Sequence, residues 1–169
     1  FLAITFGIPL GILSAIKQDS LPDYVSRFFA IMFLAVPNFW LGLLVLLVGA
    51  SVFNWMPPAG TNHLWESPME NLKQTIWPVL ILASSSMAVL ARMTRSTMLE
   101  VLRDDYIRTA RSKGLAERTV LVRHALRNAL IPVVTIIGLS FAHLLAGSVV
   151  MERVFSIPGV GLFFITSIT

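Results

Sequence analysis

Charge is spread along this chain in a way that few folds can accommodate. No Asp, Glu, Lys or Arg occurs in residues 1–16, 28–65, 74–91, 128–151 or 154–169. A helix that crosses the apolar layer of a bilayer needs about 20 apolar residues at 1.5 Å each. Four stretches fit a span or part of one: 1–16, 28–53, 75–91 and 129–150. Composition points the same way. Hydrophobic residues make up 56% and charged residues 13%, and the mean hydropathy is +0.78. A soluble domain carries about 25% charge, so this chain cannot coat a water-facing surface of its size. The same numbers exclude disorder, collagen repeats and coiled coil. The chain has no cysteine, which removes disulfide frameworks, zinc knuckles, iron–sulfur ligation and thiol catalysis.

The class that remains is an all-α integral membrane protein, a polytopic bundle of about four spans forming one domain over 1–169. The sequence opens at Phe1 inside an apolar run and stops at Thr169 without a polar tail. It is expected to be an internal piece of a longer chain. No basic residues precede the first apolar run, as a secretory signal would require.

Lys and Arg set the orientation. Segment 17–27 holds two and segment 92–127 holds nine, against Lys73 alone in 54–73 and Arg153 alone after the fourth span. The positive-inside rule puts 17–27 and 92–127 in the cytoplasm and 54–73 outside. The formal charge of +4 is therefore mainly a topology signal. A nucleic-acid patch is set aside, because these basic residues lie between two spans. Pro9, Pro37, Pro78 and Pro132 fall in or at the ends of spans, which membranes tolerate when neighbours re-satisfy the freed backbone groups. Trp55, Trp65 and Trp77 fall near span edges or in the outer segment, as an aromatic belt places them, whereas Trp40 falls mid-span.

The 92–127 segment is long for a connection, and long inner loops commonly have a task of their own. Met98, Leu102, Tyr106 and Ala110 recur every four residues, with Val101 beside them and charged residues on the other faces. This spacing predicts an amphipathic helix over 97–112. Gly114, after Ser112 and Lys113, suits a helix C-terminal stop. A second helical pattern starts near Ala116, Asn128 is placed to cap the fourth span, and Pro132 falls in or near its first turn. Helix, glycine turn and helix make either a surface helix drawn to anionic lipid or a compact knob for a cytoplasmic partner.

The residues of this knob resemble a known family. Asp105-Tyr106-Ile107-Arg108-Thr109-Ala110-Arg111-Ser112-Lys113-Gly114-Leu115, followed by Arg123-His124-Ala125-Leu126-Arg127-Asn128-Ala129-Leu130-Ile131-Pro132, is similar to the EAA loop of bacterial ABC importer permeases. The run from Glu152 through Val154, Phe155, Pro158 and Gly159 to Gly161 resembles the E-x-V-F-x-x-P-G-x-G stretch of the first, B-type permease of dipeptide and oligopeptide importers. Val36 to Gly42 and Ala91 to Ser96 look like the same subtype, so the resemblance covers essentially the whole chain. The general loop pattern begins E-A-A. Here Arg108 and Thr109 stand at its first two positions, Ala110 and Gly114 match, Arg127 takes the later proline position, and the proline comes at Pro132.

This resemblance implies a six-span subunit of which this sequence holds spans two to five. It implies a second permease subunit, two ATP-binding subunits that carry ATP and Mg, and an extracytoplasmic solute-binding protein, in a bacterial inner membrane. The loop residues expected to engage the ATPase are Tyr106, Arg108, Thr109, Ala110, Arg111, Gly114 and Leu115.

Other chemistry is missing from the sequence. No G-x-x-x-x-G-K-[ST], H-E-x-x-H or G-x-S-x-G occurs, so neither a P-loop nor these hydrolase sites are expected on this chain. His63, His124 and His143 lie in three different segments, too dispersed for a metal site. Polar residues within spans avoid lipid, which makes Asn38, Ser84, Ser85, Ser86 and His143 candidates for a translocation path. Helix–helix hydrogen bonding or close packing accounts for the same residues. An ion-coupled secondary transporter is the alternative reading. It would need ionisable residues near mid-membrane, and the expected spans offer His143 alone. An intramembrane protease would need paired carboxylates or a serine–histidine site inside the spans, and no acidic residue falls within them.

Overall fold

The computed structural model describes residues 1–58, 65–161, 163 and 167. Among these, every regular element is helical: α1 Leu2–Ile16, α2 Leu21–Ala35, α3 Asn38–Val52, α4 Pro68–Val101, α5 Asp105–Ser112, α6 Glu117–Thr119, a π-helical segment Val120–Leu126, and α7 Arg127–Val154. The four apolar stretches correspond to α1, the α2–α3 pair, α4 and α7. Helix α4 and the continuous run Glu117–Val154 are long and apolar enough to cross a membrane, and α2 with α3 makes a third span if the pair counts as one. Helix α1 is apolar but has 15 residues.

Three expectations are corrected. The 28–53 stretch is not one helix but breaks at Val36 and Pro37. A proline supplies no N–H and disfavours helical geometry in the residue before it. Pro37 is extended at φ −63°, ψ 137°, and its carbonyl accepts the first bonds of α3, from the Trp40 and Leu41 N–H groups. The 17–27 segment is not a loop throughout, because α2 already starts at Leu21. Ser20-Leu21-Pro22-Asp23 reads as a helix start, with Ser20 accepting from the Tyr24 N–H. The helix expected over 97–112 is split. Helix α4 ends at Val101, and Asp104 is extended at φ −65°, ψ 148° before α5 begins. Pro78, by contrast, is absorbed inside α4, whose 34 residues span about 50 Å.

The chain divides into two compact units, Phe1–Leu34 with Ser86–Ser140, and Ala35–Ser85 with Phe141–Thr169. In the first, α1 lies against the later part of α4. A Cβ built on Gly11 would stand 2.6 Å from the Ala91 carbonyl oxygen and 2.7 Å from the Thr94 Cβ. Glycine is what permits this approach, the usual means by which membrane helices gain packing without a hydrophobic driving force. Ala15, Met98, Ile107, Ala110, Val120, Ala125 and Ala129 form one buried core, which fastens the end of α4 to α5 and the π-helical segment. In the second unit, Ile81, Met151 and Phe155 form a smaller core, with Leu41, Val45 and Leu82 packed on it. The Trp55 and Trp77 rings meet edge to face there, with centroids 6.3 Å apart.

Candidate functional site

The knob is built on an apolar floor. In α5, Ile107 and Ala110 are buried with Met98 from α4 and Val120 and Ala125 from the π-helical segment. Tyr106, expected on that buried stripe, is instead 39% exposed. The break at 102–104 turns α5 so that Ile107 joins Ala110 on the inward face and Tyr106 leaves it. The Tyr106 hydroxyl accepts a hydrogen bond from Asn128 Nδ2 at 2.8 Å and lies 3.4 Å from the His124 carbonyl oxygen. Asn128 therefore does not cap the fourth span as expected. It lies within a helix that already runs through it, and its amide ties α7 to α5.

The turn after α5 follows the sequence. Gly114 has φ +76°, its N–H donates to the Arg111 carbonyl, and the Leu115 N–H reaches the Ala110 carbonyl. These two bonds make a Schellman motif, which a left-handed glycine closes at little cost. Arg111 clasps Glu117 across the turn through Nη2 at 2.8 Å and Nε at 3.2 Å, and this bond pushes the Arg111 guanidinium further above its usual range. Arg108 is well exposed, paired with Asp105 at 3.4 Å. The Thr109 hydroxyl donates back to the Asp105 carbonyl at 2.9 Å, and Leu115 is exposed beyond the glycine. The outer surface thus carries Tyr106, Arg108, Thr109, Arg111 and Leu115, with Ala110 turned inward and Gly114 at the corner. Such a rigid polar projection with a few apolar atoms suits docking rather than bond chemistry.

The path candidates separate. Asn38 Nδ2 donates to Ser85 Oγ at 3.2 Å, while the Ser84 and Ser85 hydroxyls donate to the Ile81 and Leu82 carbonyls of their own helix. Ser86 and His143 make no side-chain hydrogen bond among the described residues, and His143 is exposed on α7. His63 lies outside the described residues. No group of three or more potential metal-ligating side chains occurs among the described residues.

Sequence reasoning missed a buried ion pair. Asp23, in the charged segment between the first two apolar stretches, is fully buried in α2 and holds Arg95 of α4, with Ser14 of α1 donating its hydroxyl and the Asp19 N–H donating at 3.1 Å. Arg27, one turn on, lies 3.6 Å from the same carboxylate. The helix-start pattern at Ser20–Asp23 was the available signal, because it would have put Asp23 inside a helix flanked by apolar residues.

Glu152, Pro158, Gly159 and Gly161 form a second local device. The chain turns back after α7 with Ser156 at φ 53°, and the Gly161 N–H donates to Glu152 Oε1 at 3.4 Å. A side chain on Gly159 would collide with the Glu152 carboxylate.

Known proteins resemble this chain along nearly its whole length. Residues 7–169 match the family described as binding-protein-dependent transport system inner membrane component. The oligopeptide transport system permease protein AppB of Bacillus subtilis is 45% identical over 168 residues, covering 98% of this chain and 53% of that protein. The dipeptide transport system permease protein DppB of the same organism is 41% identical, covering 99% of this chain and 52% of that protein. The glutathione transport system permease protein GsiC of Pectobacterium atrosepticum is also 41% identical, covering 98% of this chain and 52% of its own length. The chain spans about half the length of these relatives.

Proposed function

Because this chain belongs to the family of binding-protein-dependent transport system inner membrane components, we propose that it forms the core of a permease subunit in an ATP-driven importer of peptides or related small solutes. It is an inner-membrane protein with apolar helices long enough to span. The knob of α5, the Gly114 turn and the π-helical segment is read as the surface on which a separate ATPase subunit acts. ATP and Mg belong to that partner, and a second permease subunit and a solute-binding protein complete the assembly. The observation that carries this reading is the knob's construction. An apolar core fixes it to the end of α4, while Arg108, Thr109 and Leu115 stay outside and exposed. A helix lying on lipid would present apolar groups to the bilayer, whereas Ile107 and Ala110 are consumed internally.

Peptide is the proposed solute class on the strength of the oligopeptide and dipeptide permeases among the relatives. The buried carboxylate does not favour ion coupling, because Asp23 is already held by Arg95 and Ser14. The test is transport in vesicles containing the full-length permease with its partner subunits. Peptide uptake should require ATP and persist when ion gradients are collapsed. Uptake driven by a proton or sodium gradient without ATP would refute the reading.

A further inference from the structure

Three arginines converge within the unit formed by Phe1–Leu34 and Ser86–Ser140. A cavity of about 230 Å³ there is lined by Arg27, Arg92 and Arg95 together with the hydroxyl-bearing Ser14, Ser26 and Ser96. Asp23 is committed to Arg95 through two nitrogens. It leaves Arg27 at 3.6 Å, with a buried Nε that has no hydrogen-bond acceptor. Arg92 is exposed and makes no ion pair among the described residues. Asp19 adds a more distant negative charge felt by Arg95. The pocket still presents the Arg27 guanidinium, held by the 3.6 Å ion pair with Asp23 and by the Tyr24 ring 4.8 Å away, and that of Arg92, which no carboxylate holds among the described residues. Guanidinium forks bind phosphate oxygens in pairs.

A second cavity, of about 330 Å³, shares Ser26, Ala30 and Ala91 with the first. The rest of its lining is apolar and includes Leu10, Leu13, Phe29, Phe33 and Met87. A cationic socket that borders an apolar groove at Ser26, Ala30 and Ala91, at the Lys- and Arg-rich end of apolar helices, matches one ligand class. Free phosphate would leave the groove unfilled, and a zwitterionic lipid would neutralise the socket less well than an anionic one. We propose that this paired cavity binds an anionic phospholipid, its phosphate on Arg27 and Arg92 and an acyl chain along Leu13, Phe29 and Phe33. Basic pockets between membrane helices bind anionic headgroups through this kind of complementarity.

The experiment uses the full-length permease purified with its partner subunits and exchanged into vesicles of phosphatidylcholine with or without phosphatidylglycerol. Native mass spectrometry should find phosphatidylglycerol retained, phosphatidylcholine not retained, and retention reduced about tenfold or more in R27Q/R92Q. A photoreactive phosphatidylglycerol with its label in the acyl chain should crosslink the unaltered protein at Leu13, Phe29 or Phe33, a readout that does not depend on the variant folding. Equal retention of both lipids, unchanged retention in a folded variant, displacement by millimolar inorganic phosphate, or crosslinks confined to other helices would each overturn the proposal.

Discussion

Arg95 grips Asp23 through Nε at 2.7 Å and Nη2 at 2.9 Å, across 72 residues of sequence, and the carboxylate is wholly buried. Removing one partner of such a pair strands the other without compensation, at about 3–5 kcal/mol, whereas replacing both with apolar groups is often nearly neutral. We expect Asp23→Ala to lower the unfolding midpoint of the detergent-purified full-length permease strongly. The double variant Asp23→Leu with Arg95→Met should recover most of that loss. Equal melting of the single variant and the unaltered protein would show that the pair carries little stability.

Gly114 gives a test that separates backbone strain from crowding. Its φ is +76°, and nothing lies within 4 Å of where a Cβ would be. Left-handed geometry costs an L-residue about 1–2 kcal/mol, and more when it is β-branched. Gly114→Val should therefore misplace the knob and reduce peptide-stimulated ATP hydrolysis in the reconstituted transporter. Gly114→Asn should be milder, because asparagine visits this region more readily. Membrane insertion, checked separately, should be unchanged in both.

The clasp between Arg111 and Glu117 lies across the same turn but is 42% and 55% exposed. Exposed pairs contribute about 0–1 kcal/mol. Arg111→Ala should therefore reduce coupled hydrolysis less than Gly114→Val does. A loss as large as that of the glycine variant would mean that Arg111 touches the ATPase directly.

Orientation can be read chemically, because the chain has no cysteine of its own. Lys113→Cys should resist an impermeant thiol reagent applied to intact cells and react after the membrane is opened. Labelling from outside in intact cells would invert the topology.

Close approach of α1 to α4 supplies one more measurement. Gly11→Leu would drive its side chain into the Ala91 carbonyl oxygen and the Thr94 Cβ, a backbone atom and one bonded directly to backbone, neither of which can swing aside. We expect lower thermal stability of the purified permease by more than the ~1 kcal/mol that separates glycine from other residues in a helix interior.

Much of this architecture could be read from residue order, for identifiable reasons. Charge-free runs announce apolar helices because a charge in lipid is costly, and Gly114 announces a stop because few residues tolerate its dihedral angles. The knob itself was legible as helix, turn and helix. Its register was not, since the spacing of Met98, Leu102, Tyr106 and Ala110 fits one continuous helix as well as two. The extended Asp104 decided in favour of two and exchanged Tyr106 for Ile107 inside the core. Asp23 was hidden for a different reason. A lone carboxylate near basic residues looks solvated in sequence, and its partner Arg95 is brought to it by α4 packing on α1 and α2, a relation that no local pattern encodes. The Tyr106–Asn128 bond escaped notice in the same way.

The interruption at Val36 and Pro37 has a consequence for solvation. Helix α2 ends at Ala35, so its last carbonyl groups have no helical N–H ahead of them. Hydrocarbon offers such groups no donor, and each one left bare there costs several kcal/mol. The break must accordingly face protein or water instead of acyl chains. Asn38, one residue beyond Pro37 and already bonded to Ser85, brings an amide to that place. A broken helix in a chain this apolar therefore marks a place that hydrocarbon cannot cover.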